Sequence, residues 1–159
     1  MRFKEHLDNE KNDFNEILKK NQKKLVDLDY KPLNVKYILD KEIEDIYGFE
    51  FYQIMRVLKL NIDQSSELLF ASIPLKKVNA LTKTDDLNTF EKFVNQFLID
   101  QKKFAQNAGI DPTRLNKILK RERKDFYAYE VYRISASEKI KATSAFNQLY
   151  KAVSEAKNG

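Results

Sequence analysis

The chain has 159 residues, with 29 Lys or Arg against 24 Asp or Glu, a formal net charge of +5, and no cysteine. That length suits one domain of ordinary size or a small domain with a helical appendage, and it excludes a disulfide framework, a thiolate metal site and a cysteine nucleophile. No apolar run approaches the ~20 residues a bilayer span requires, and the first residues lack an apolar signal core, so a cytoplasmic protein with no membrane partner is expected.

Three glycines and three prolines leave little material for tight hairpins, which predicts an all-α fold. From Glu10 to Leu28, the residues Phe14, Ile17, Leu18, Leu25 and Val26 recur at helical spacing, interrupted at Asn21 and Gln22 and broken at Asp29 to Lys31. Val35, Ile38, Leu39, Ile43, Ile46 and Tyr47 then predict a second amphipathic helix ending at Gly48. Residues 1–48 hold ten bases and eleven acids, so this N-terminal helical region is expected to pack or to hold a protein partner rather than bind phosphate. The single histidine, His6, falls in a terminus expected to fray, which leaves a histidine-based catalytic or metal site without its parts.

Residues 49–98 form the next segment. Sliding Ile62-Asp63-Gln64 onto Ile99-Asp100-Gln101, an offset of 37, continues without a gap: Ala71 meets Ala108, Ser72 meets Gly109, Ile73 meets Ile110 and Leu81 meets Ile118. This predicts a degenerate helix-turn-helix-like segment that shares a linking helix, residues 87–98, with the basic segment C-terminal to it. Six bases and seven acids between residues 49 and 100 give it no phosphate-binding charge.

Between Gln101 and Lys124, eight bases stand against two acids, so the rest of the chain sums to −1 and the basic character belongs to one window. Phe104, Ala105 and Ala108 share one helical face, and Gly109 is placed to end that helix in the left-handed conformation. Asp111 is a good N-cap and Pro112 suits a first turn, so a second helix is expected to open at about Pro112. Its stripe of Leu115, Ile118 and Leu119 sets Thr113 and Lys117 on the opposite side, with Arg114 flanking them. A buried stripe with cations opposite is the layout a groove-reading helix requires. Lys102, Lys103, Lys120, Arg121, Arg123 and Lys124 supply the surrounding charge expected to meet phosphates.

This window resembles the helix-turn-helix of lambda-repressor-like (Xre-type) DNA-binding proteins. The resemblance rests on Gln101, Phe104-Ala105, Gly109-Ile110, and Leu115 with Ile118-Leu119. It implies a lambda-repressor-like bundle spanning residues 87–156 that binds duplex DNA, with Gln101 touching DNA at the start of the first helix. Thr113, Arg114 and Lys117 are then the remaining expected base readers. After the window, Phe126, Tyr127, Tyr129, Val131, Tyr132 and Ile134 predict an aromatic helix, and Ser135 or Ser137 is expected to cap a last helix striped by Ile140, Phe146, Leu149, Tyr150 and Val153. If the core closes without that stripe, it offers a homodimer face.

The expectation is a sequence-specific transcriptional regulator, with an antitoxin-type autoregulator as a variant whose N-terminal helices hold a protein. The rival reading is a helical interaction module without DNA activity. No enzyme activity and no cofactor or metal are expected, since no glycine-rich phosphate loop exists and the acid pairs Glu44-Asp45 and Asp85-Asp86 read as caps or surface.

Overall fold

The computed structural model describes residues 1–73, 89–95, 97, 101–120 and 125–158, without the side chains of 89, 92, 95, 101, 102 and 155–158. Among these residues ten α-helices run in order: α1 Phe3–Glu10, α2 Phe14–Lys20, α3 Val35–Leu39, α4 Gly48–Leu58, α5 Ile62–Phe70, α6 Thr89–Asn95, α7 Gln101–Ala108, α8 Pro112–Leu119, α9 Ala128–Ser137 and α10 Ala142–Asn158. The only β pairing among the described residues is three isolated bridges, so the fold is all-α.

Several expected boundaries move, each for a local reason. Of the stretch expected to be helical from Glu10 to Leu28, only Phe14–Lys20 forms an α-helix, α2, after α1 has ended at Glu10; the chain then tightens to a 3-10 turn at Gln22–Lys24 and becomes extended at Leu25. His6 is not frayed: it is 2% exposed inside α1, beside buried Phe3 and Leu7. The helix expected from Val35 to Tyr47 stops at Leu39, and Gly48 opens α4 instead of closing its predecessor. Tyr127 precedes α9 as its N-cap, while Ser135 and Ser137 lie inside α9 and donate back to the carbonyls of Tyr132 and Ile134. The start of α10 is held from elsewhere, since Asp63 on α5 accepts the Thr143 amide at 2.9 Å.

The centre of the molecule has an internal two-fold correspondence at an offset of 80 residues. Asp45-Ile46-Tyr47-Gly48-Phe49-Glu50 stands over Asp125-Phe126-Tyr127-Ala128-Tyr129-Glu130, and the match runs on through α4–α5 and α9–α10. Gly48 donates its amide to Phe126 and Ala128 donates to Ile46, both at 2.7 Å, forming the antiparallel Tyr47–Tyr127 bridge. The two tyrosine rings stack across it, 5.2 Å between centroids and 16° between planes. Lys59 and Lys139, at φ 57° and 58°, end α4 and α9 in the same left-handed turn. The next residues, Leu60 and Ile140, donate to Met55 and Ser135, each at 3.0 Å.

The core runs through both halves. Phe51 on α4 lies against Phe3, Phe70 and Phe146 with centroids 5.2–6.0 Å apart. The stripe of α10 is absorbed here: Phe146, Leu149 and Tyr150 are buried, with Ile140 and Val153 packed against them, so this face is not left for a second copy. Phe14, Leu18 and Leu25 are likewise core, which removes that stripe as a partner surface.

The correspondence at an offset of 37 sets α5 against α7, but its expected second helix, up to residue 83, lies outside the described residues. Most of the linking helix expected at 87–98 is seen as α6. In the correspondence at 80, α5 is matched with α10, and the basic window falls over Asn21 to Glu44.

Candidate functional site

The site is built on α7 and α8. Phe104, Ala105 and Ala108 of α7 are buried, and α7 packs against α8 and α9. Gly109 takes φ 69°, the left-handed turn that a side chain with Cβ resists, and Ile110 donates to Ala105 at 3.0 Å as the chain reverses. Asp111 then caps α8, its Oδ1 accepting the amides of Thr113 at 2.8 Å and Arg114 at 3.2 Å, with Pro112 at the first position. Leu115, Ile118 and Leu119 are wholly buried.

On the outer side of this pair, Thr113 and Lys120 are exposed and Lys117 is partly exposed, with Lys103 exposed on α7. Of these, Thr113, Lys117 and Lys120 share one side of α8. Gln101 opens α7, but only the backbone of Gln101 and Lys102 is described, and Arg121, Arg123 and Lys124 lie outside the described residues.

Arg114 departs from its expected role. Its guanidinium turns inward and grips Glu130 through Nε at 2.9 Å and Nη2 at 2.7 Å, and Nη2 also donates to the Asp125 carbonyl at 3.2 Å. Burial opposes its charge, yet the Glu130 bond and charge more than offset that and raise its pKa. The planar group lies over Tyr127, 4.2 Å from the ring centroid. In this arrangement Arg114 anchors α8 to the start of α9 and does not face outward to read a base.

Glu130 is the residue that sequence reasoning missed. It also accepts the Tyr127 amide at 2.7 Å, so one carboxylate closes the N-terminus of α9 and seats α8. Glu50 repeats the device: it accepts the Tyr47 amide at 3.0 Å and pairs with Lys41 at 3.0 Å, whose ammonium lies 4.8 Å from the Tyr47 ring centroid. The signal was present as Tyr-x-x-Glu twice at an offset of 80. Among the described residues no group of three His, Asp or Glu is placed to hold a metal.

Comparison with family models, with curated proteins and with solved structures found no match.

Proposed function

We propose that the α7–α8 surface binds duplex DNA and that the protein acts as a helix-turn-helix regulator of transcription. The observation that supports this reading most is the two-sided character of α8. Its apolar stripe is buried where α8 packs against α6 and α7, while Thr113, Lys117 and Lys120 share the solvent side, so the helix presents cations and a hydroxyl on a fixed backbone. The cap by Asp111 and the clamp of Arg114 on Glu130 fix the direction of that helix, as base readout requires. Thr113 and Lys117, with Gln101, are the proposed base-facing residues; Lys102, Lys103, Lys120, Arg121, Arg123 and Lys124 are assigned to phosphates.

Titration of mixed-sequence duplex DNA over a range of salt tests the reading. With roughly five phosphates neutralised, log affinity against log salt is expected to fall with a slope of about −4 to −5. Lys117→Ala with Lys120→Ala should weaken binding while leaving stability within about 0.5 kcal/mol. Arg114→Ala should act differently, lowering stability by about 2–3 kcal/mol because Glu130 would be left buried with one backbone partner. Absence of association at low salt would assign the chain to a protein-interaction role instead.

A further inference from the structure

We infer that the first half carries a separate site for a small anion with two or more linked phosphates. The site is a cavity of about 550 Å³ where the C-terminal ends of α2 and α4 meet the residue after α1. Lys11, Lys20, Lys24, Arg56 and Lys59 line it, and among the described residues no acid does. Among the described residues none of the five has a carboxylate within 4 Å. This inference does not rest on the DNA reading, which concerns the other half.

Basic residues often gather at helix C-termini to offset the carbonyl ends, but here the cations exceed what the helices can neutralise. Three helix ends each present a charge of about −0.5 at most, and less for helices this short, which neutralises roughly 1.5 of the five positive charges. More than three remain around one concavity that no acid among the described residues lines. Such convergence is unfavourable in the unliganded protein and becomes favourable when a polyanion enters.

The walls are prepared for more than a diffuse counterion. Arg56 is held from behind: its Nη1 donates to the Tyr52 hydroxyl at 2.9 Å, and that hydroxyl donates to Asn147 Oδ1 at 2.9 Å. The guanidinium is thereby oriented before any ligand arrives. Ile17 and Val57, both partly buried, give one apolar wall. The volume is that of an ordinary small-molecule site and far too small for a duplex. An inorganic phosphate chain and a nucleoside triphosphate share the required chemistry.

Calorimetric titration of the full chain with sodium triphosphate and with ATP, both without metal, tests the site. Saturable binding of one equivalent is expected, weakened at least about tenfold by Lys20→Ala with Arg56→Ala. It should be unaltered by Lys117→Ala with Lys120→Ala, and circular dichroism and thermal unfolding should show both variants folded. Tighter binding of ATP assigns the nucleoside to the wall of Ile17 and Val57, and equal binding assigns the inorganic chain. The inference is overturned if neither probe binds, or if the Lys20 and Arg56 variant binds as tightly as the parent. It is equally overturned if that variant loses duplex DNA as severely as the Lys117 and Lys120 variant, because the cations would then serve DNA phosphates.

Discussion

Asp125 is a single side chain on which both halves depend. It is wholly buried, and its two oxygens accept the amides of Phe49 at 2.8 Å and Phe126 at 2.7 Å and the hydroxyl of Tyr150 at 2.8 Å. Burial pushes its pKa up to about 7, against the pull of those three donors. The fold therefore retains the proton over a range where the unfolded chain has released it. Stability linked to Asp125 is greatest below about pH 4, declines by at most about 1.4 kcal/mol per pH unit as pH rises toward 7, and is level above that. His6 contributes in the opposite sense. Burial lowers its pKa, so stability is lost as pH falls below about 6.5, where the unfolded histidine takes up a proton first. Chemical denaturation from pH 4 to 8 separates the two: Asp125→Asn should remove the decline attributed to Asp125 and leave the His6 limb. Parallel curves for parent and variant would show that Asp125 stays ionised throughout.

At the scale of elements, the two halves show how one motif diverges. Gln22-Lys23-Lys24 and Gln101-Lys102-Lys103 are the same three residues, set one position out of the offset of 80, yet the first trio makes a 3-10 turn and the second opens α7. The residues C-terminal to each trio decide the difference. The first copy runs into a Val26–Pro32 bridge with Tyr30 at φ 71°, and its α3 is only five residues long, whereas the second has Ala105, Ala108 and Gly109 and reaches an eight-residue α8. The first residues of α4 and α9 offer a test. A Cβ on Gly48 would overlap the Tyr150 hydroxyl, while α9 begins with Ala128, and Phe70, the first half's counterpart of Tyr150, carries no hydroxyl. Gly48→Ala should thus destabilise by about 1–3 kcal/mol through overpacking, although Ala is the better helix former. Ala128→Gly should cost only about 0.5–1 kcal/mol, a difference thermal or denaturant unfolding would resolve.

For the whole molecule, the exchange of hydrogen bonds about Tyr47 and Tyr127 and the cluster around Phe51 leave no plane along which the halves could part without exposing core. One cooperative transition is expected, with tyrosine fluorescence and far-ultraviolet circular dichroism changing together. Phe51→Ala should lower that transition by about 3–5 kcal/mol without splitting it. Two resolved transitions would mean that the halves fold separately.

The helical class, the Gly109 turn, the Asp111 cap and the stripe of Leu115, Ile118 and Leu119 were legible in the residues, because each depends on neighbours within one or two helical turns. The offset of 80 was present there too, but local periodicity favoured the shorter one, since helical segments resemble one another at many spacings. Only packing could set Arg114 against Glu130 and not solvent, bury His6, and make α10 close the core instead of offering a dimer face. A helix pattern fixes which residues share a side, but which flanking residue turns inward depends on a partner carboxylate sixteen positions away, brought there by the packing of α7 against both α8 and α9.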